Sequence, residues 1–190
     1  MNFSEKIILE NDSVLLRPLT PEDELSLSKI AFDPDIWKYK VMRASNTIEL
    51  KEFINSAIED RDRNSRYTFT IIDKSSGEIA GSTSYGNISF KDKRLEIVWT
   101  WLGKKFIGTG LNKECKFLLL QYAFEHLKFE RVEFKTDFLN KAARRALEKI
   151  GAKAEGILRS HTLMHDGRRR DTIYYSMLKD EWKSIKNLSP

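Results

Sequence analysis

The chain has 190 residues, 41% of them hydrophobic and 32% charged, which suits one soluble domain with a proper core and is too short for two comfortable ones. No apolar run is long enough to cross a bilayer, and the opening residues lack the basic-then-apolar order of a secretory signal. The net charge of +5 admits nucleic acid or a polyanionic small molecule as partner, and the single cysteine, Cys115, excludes an internal disulfide and points to a reducing cytoplasm.

The prolines stand at positions 18, 21, 34 and 190, so most of the chain is free of strong breakers. Val14 to Arg17 reads as a short strand ended by Pro18. Thr20-Pro21-Glu22-Asp23 is a helix start, with Thr as cap and acids facing the positive helix end, and this helix should reach Phe32. A second helix should run from Thr47 to Arg63 on the apolar stripe Phe53, Ile54, Ala57 and Ile58. A meander follows: Tyr67 to Asp73, a turn at Lys74 to Gly77, Ile79 to Ile88, a turn at Phe90 to Lys93, then Arg94 to Leu102. Strict alternation in the last strand places Leu95, Ile97, Trp99 and Trp101 on one face and Glu96, Val98 and Thr100 on the other.

From Gly110 to Leu127 the period becomes helical, with a stripe of Leu111, Cys115, Leu118, Leu119, Tyr122 and Ala123. Arg131 to Asp137 reads as a strand with one wetter face. Lys141 to Ile150 is a helix closed by Gly151. Strands at Ala154 to Ser160 and Thr172 to Leu178 flank a turn at His165-Asp166-Gly167. The order predicts a single α+β (mixed α/β) domain over 1–190, a central twisted mixed sheet with helices on both faces.

The chemistry concentrates in RLEIVWTWLGKKFIGTGLNKECKFLLLQYAFEHL. A strand enters a loop containing Gly108 and Gly110, and a long amphipathic helix follows. Glycines let backbone approach a ligand, and the unpaired N–H groups and dipole of a helix start make an anion site, with pyrophosphate the obvious occupant. The Walker pattern fails because Thr109 stands where lysine is required, and the dinucleotide fingerprint fails because nothing suitable follows Gly110.

Lys105-Phe106-Ile107-Gly108-Thr109-Gly110 resembles the pyrophosphate loop of the GNAT N-acetyltransferases, Arg/Gln-x-x-Gly-x-Gly/Ala. Lys105 departs from the first position and keeps the charge without the planar fork. RVEFKTDFLNKAARRALEKIGAKAEGILRSH resembles the second motif of that family, strand–Asn–helix–"EKxGA". Together with EIVWTWL, EGILR and DGRRRDTIYYSMLKDEW, these segments resemble the branch containing the RimJ/RimL-like ribosomal-protein N-terminal acetyltransferases. The matches run from Arg94 to Trp182.

The resemblance implies a GNAT-like acyl-CoA N-acyltransferase fold, acetyl-CoA as cosubstrate without a metal, and an amine acceptor, either a protein N-terminus or a small molecule. It implies that the backbone of Trp99, Thr100, Trp101 and Leu102 pairs with the pantetheine arm. Lys105, Phe106, Ile107, Gly108, Thr109 and Gly110 would hold the pyrophosphate, with Asn112 near the helix start, and Asn140 would bond the pantetheine region. Lys104, Lys113, Arg144, Arg145 and Lys149 are candidates for the 3′-phosphate and adenine end, although each alone reads as a solvated helix face. Ala143 stands near the sulfur where relatives of this branch often carry serine, which leaves Tyr174, Tyr175 or no group at all to protonate the leaving thiolate.

Glu96 is the candidate general base, acting through water on the acceptor ammonium. A buried glutamate paired with an arginine is an equal alternative. Cys115 reads as a core residue, and His126, His161 and His165 form no metal pattern. Arg168-Arg169-Arg170 is either a solvated hairpin or a device that steers an acidic acceptor. Competing functions are transfer from another acyl-CoA, a CoA-binding regulatory domain, and a nucleic-acid module. The last is disfavoured because the basic residues interleave with acids. The expected assembly is a monomer or homodimer, with no membrane partner.

Overall fold

The computed structural model describes residues 1–186, so the last four residues of the expected 1–190 domain lie outside the described residues. In chain order the elements are β1 (Leu9–Glu10), β2 (Val14–Pro18), α1 (Glu24–Ala31), α2 (Thr47–Asp62), β3 (Tyr67–Asp73), β4 (Glu78–Ser89) and β5 (Arg94–Leu102). They continue with α3 (Leu111–Gln121), β6 (Arg131–Asp137), α4 (Lys141–Lys149), β7 (Lys153–Leu163), β8 (Arg169–Leu178) and α5 (Lys179–Lys186).

The local chemistry of these starts and stops is visible in the bonds. A short 3-10 turn at Pro21–Asp23 precedes α1, and the Asp23 carboxylate accepts from the Thr20 N–H at 3.0 Å. The same carboxylate, buried, is held by Arg17 and by the Thr70 hydroxyl, which ties the helix entrance to β2 and β3. Asn46 caps α2 by accepting from the Glu49 N–H at 3.0 Å. Helix α3 continues beyond Gln121 as one π-helical turn, Tyr122–His126. Strands β7 and β8 are longer than the periodicity predicts, and β1 and α5 are additions to it.

One eight-stranded sheet carries the order β1-β2-β3-β4-β5-β6-β8-β7. All neighbours are antiparallel except β5 and β6, which are parallel because α3 crosses between them. One face of the sheet packs under α3, α4 and α5, through Tyr67, Phe69, Ile97, Leu119 and Trp182 among others. The other packs under α1, α2 and the loop between them, in a smaller cluster holding Trp37, Phe53 and Trp101. Helices therefore cover both faces. Burial of each such side chain contributes roughly 1.5–3 kcal/mol.

Candidate active site

The site begins with a break in alternation. Ser82 pairs with Trp101 and Ser84 with Val98, so β5 carries one more residue than β4 between these pairs. The extra residue is accommodated at Trp99, whose φ is +52. The strict two-face pattern holds up to Val98 and inverts beyond it. Leu95 and Ile97 join the larger core, whereas Trp101 enters the smaller one, 5.2 Å from the Trp37 ring. Trp99 turns to the same side as Trp101 and lies under the Arg66 guanidinium at 4.7 Å. Bulges increase twist and bend the strand that carries them, and this one sits where β5 leaves β6. The two strands pair only from Arg94 with Arg131 to Glu96 with Glu133. From Ile97 and Phe134 onward they separate, and the far edge of β5, including Thr100, is left without a strand partner.

The glycine loop lies at the wide end of this wedge. After a 3-10 turn at Lys104–Phe106, Gly108 and Gly110 take φ of +83 and +93, which only glycine adopts at no cost. Gly110 caps α3 without a side chain. The N–H groups of Gly108, Thr109, Gly110 and Asn112 reach no acceptor among the described residues. Asn112 adds a side-chain carbonyl oxygen that is buried and unpartnered. The exposed Lys105 ammonium contacts Glu78 at 2.5 Å across 27 residues, an exposed pair that holds it only weakly. Lys104 leans on Asp33 at 3.4 Å.

Glu96 stands where the strands part, and only 1% of it is exposed. Its Oε2 accepts from the Asn87 amide at 2.6 Å and lies 2.9 Å from the Lys135 ammonium. The partner of this buried carboxylate is thus a half-buried lysine rather than an arginine, and Oε1 accepts no hydrogen bond among the described residues. Burial would lower the Lys135 pKa, but the Glu96 hydrogen bond and charge outweigh it and the net shift is upward. The Lys135 ammonium also sits 4.8 Å from the Tyr174 ring centroid. A shallow cleft lined by Ser65, Asn87, Ile88, Ser89, Arg94 and Lys135 opens beside this pair.

At the start of α4, the Asn140 carbonyl accepts from the Ala143 N–H at 3.0 Å, so one end of Asn140 is spent on capping and its amide NH₂ is left over. Of the two tyrosines expected near the sulfur, only Tyr174 faces Lys135. The Tyr175 hydroxyl donates to Glu148 at 2.9 Å within the larger core, and burial pushes its pKa up, so the expectation for Tyr175 is corrected. Arg144 stacks over Phe138 at 4.5 Å and donates to its carbonyl, which is a packing role. Arg145, Lys113 and Lys149 are exposed. Cys115 is buried with its thiol pushed up to about 12, as a core residue requires. The arginine triplet divides: Arg168 pairs with the buried Asp137 at 2.5 Å, Arg169 reaches Ser160, and Arg170 is buried against the Thr172 hydroxyl at 3.0 Å.

Two lysines that the sequence did not single out complete the wedge. Lys40 donates from the loop after α1 to the Thr100 carbonyl at 2.7 Å. Lys116 enters from α3, buried, with its ammonium 5.7 Å from the Phe134 ring centroid. Burial pushes both down to about 8, and Lys40 is lowered further by the charges of Lys116 and Arg170. A signal for Lys116 was available: one helical turn away on α3 lie Leu119 and Leu120, both buried. Lys40 carried no such signal, because its loop has no period.

The fold and the wedge define an acetyltransferase of the GNAT class. The chain belongs to that family, since the model for an acetyltransferase (GNAT) domain matches residues 13–153. Among relatives, it is 34% identical over 110 residues to YdaF of Bacillus subtilis, provisionally named a ribosomal N-acetyltransferase. That match spans 58% of this chain and 59% of YdaF, under two thirds of the relative's length. A provisionally named acetyltransferase from T. thermophilus superposes with a TM-score of 0.87 at 33% identity, covering 97% of this chain and 96% of that one. RimL, described as a ribosomal L7/L12 alpha-N-protein acetyltransferase, shares the fold alone, with a TM-score of 0.81 at 18% identity over 91% of this chain and 94% of its own.

Proposed function

We propose that this protein transfers the acetyl group of acetyl-CoA to a primary amine in the cytoplasm. One observation carries the reading: the open wedge, the glycine loop and Glu96 lie together on β5 and its exit. The residues suit the cosubstrate. Four unpaired N–H groups at a helix start fit a pyrophosphate, and the unpartnered Asn112 oxygen fits an amide N–H of the pantetheine arm. The backbone of Trp99 to Leu102 offers the arm a strand edge once the Lys40 ammonium leaves the Thr100 carbonyl. We assign the Asn140 amide to the same arm, and the exposed Arg145 and Lys113 to the phosphate beyond it.

Bound acetyl-CoA supplies an activated thioester. The acceptor must lose an ammonium proton before it attacks. Glu96 takes that proton through water at its free Oε1, while Asn87 and Lys135 hold Oε2. The new bond is C–N, the broken bond is C–S, and thiolate departs. The YdaF name, a ribosomal N-acetyltransferase, supports an amine of a ribosomal component as one acceptor class.

Acetyl-CoA at one hundred times its dissociation constant is expected to stabilise the protein by about 2.7 kcal/mol, read as a thermal shift. No shift with millimolar acetyl-CoA or CoA removes the proposal. Binding without turnover of any amine leaves instead a CoA-binding regulatory domain, the reading that Ala143 keeps open.

Ala143→Ser places a hydroxyl on the third residue of α4, whose N–H Asn140 already holds, so little strain is added. We expect less than a tenfold change in turnover across pH 6 to 9, because a thiol pKa of about 8.5 makes thiolate a tolerable leaving group. A tenfold gain at low pH, about 1.4 kcal/mol of barrier, would mean the enzyme lacks an acid it can use.

A further inference from the structure

One amine of the protein already stands at the strand edge assigned to acetyl-CoA. The Lys40 Nζ donates to the Thr100 carbonyl at 2.7 Å, on the stretch of β5 that has no partner in β6. Thr100 lies between Glu96 and the glycine loop, next to the bulge at Trp99. The backbone that carries Lys40 is anchored. Its N–H donates to the Trp37 carbonyl at 3.0 Å and closes a turn. Trp37 is 1% exposed, its indole N–H donates to the Ala31 carbonyl at 2.7 Å, and its ring packs on Trp101 of β5. This turn belongs to the layer over the smaller core. Glu96 faces that side too, because its neighbours Leu95 and Ile97 both enter the larger core. The Lys40 amine therefore reaches the slot from the side that Glu96 serves. Its only hydrogen bond is the one to Thr100, and no carboxylate lies within salt-bridge distance of it among the described residues. Lys38, two residues earlier, is exposed, with its ammonium 5.5 Å from the Tyr39 ring centroid.

We propose that Lys40 is a self-modification site, whose ε-amine takes the acetyl group from acetyl-CoA bound to the same molecule. The proposal rests on the acetyltransferase reading. As the arm of acetyl-CoA takes the Thr100 edge, it displaces the Lys40 ammonium from the carbonyl, and the turn on Trp37 keeps the amine beside the arm. The ammonium gives one proton to water. The neutral Nζ then attacks the acetyl carbonyl carbon, the C–N bond forms and the C–S bond breaks. The second proton passes from nitrogen through water to the departing thiolate, so acetyl-lysine and free CoA are the products. Burial of the Lys40 side chain, followed by the charges of Lys116 and Arg170, pushes its pKa down to about 8, so much of it is neutral near that pH without a separate base. Holding amine and thioester on one molecule adds the advantage of an intramolecular reaction.

The test uses the whole protein, acetyl-CoA with a deuterated acetyl group, and no acceptor. Peptide mass mapping over time follows the label at Lys40 and at Lys38. We expect Lys40 to be labelled at least about tenfold faster than Lys38 at pH 7. With acetyl-CoA held fixed, the rate per molecule should not change on dilution of the protein, because the transfer is intramolecular. It should rise from pH 6 and level off above about pH 8, whereas a lysine in open water keeps gaining rate towards pH 10. Gly108→Val, at acetyl-CoA below saturation, should slow labelling of Lys40 at least about tenfold and leave that of Lys38 unchanged. Excess CoA should do the same in the parent. An unlabelled acetyl group already on Lys40 of the purified parent, and absent from Gly108→Val, supports the proposal equally. Equal labelling of Lys40 and Lys38, a rate that falls on dilution, or a Lys40 rate untouched by excess CoA overturns it. Failure of acetyl-CoA itself to shift the melting of the parent is a different result, and it would strike the enzyme reading.

Discussion

Glu96→Gln is expected to lower kcat/KM by about 10²–10⁴-fold, the usual cost of losing a general base. The loss should be greatest at acidic pH, where the acceptor is an ammonium and must give up its proton before it attacks. Acetyl-CoA affinity should be unchanged, because the glycine loop lies at the other end of β5. The structure adds a condition to this prediction. Lys135 and Asn87 both bond Oε2, and glutamine keeps the shape while removing the charge that Lys135 faces. Some loss of stability therefore accompanies the substitution, and thermal melting must be measured beside the pH–rate profile from 6 to 9. A lower melting temperature with an unchanged profile identifies Glu96 as the structural half of an ion pair.

Gly108→Val and Gly110→Val should each weaken acetyl-CoA binding roughly 100-fold, about 2.7 kcal/mol. Both glycines have positive φ, so valine costs about 1–2 kcal/mol of backbone strain. Nothing lies within 4 Å of a Cβ built at either position, so no packing loss adds to that strain. The space a side chain would fill is open, and it lies beside the unpaired N–H groups of the loop. Calorimetric titration with acetyl-CoA, together with a melting curve for each variant, separates the two effects. Folded variants that bind acetyl-CoA as the parent does would show that the loop does not hold the pyrophosphate.

Much of this site was legible because it is local. The glycines at 108 and 110, the strand before them and the helical period after them occupy one continuous segment, and each element follows from the residues within it. The helix from Lys141, closed by Gly151, was legible in the same way, and the structure adds that Asn140 caps it. The ends of β7 and β8 were less legible, since both strands extend through residues with mixed patterning and are paired along most of their length to each other. Trp99 misled for a definite reason. Period-two alternation assumes equal residue counts on paired strands, and one extra residue inverts every side chain beyond it.

By itself, the sequence determined the order of the elements from β2 to β8, the mixed sheet between helices, the glycine loop ahead of α3 and the core placement of Cys115, all set by short-range pattern and backbone chemistry. Only the tertiary structure decided what those elements do to one another. It showed that β5 and β6 part after Glu96 and that Glu96 meets Lys135 rather than an arginine. It separated Tyr174 from Tyr175, and it set Lys40 against the Thr100 carbonyl and Lys116 against the Phe134 ring. A charge on a helix or loop reads the same in sequence whether it meets water or another charge. Its chemistry depends on desolvation and on neighbours that only the folded chain assembles.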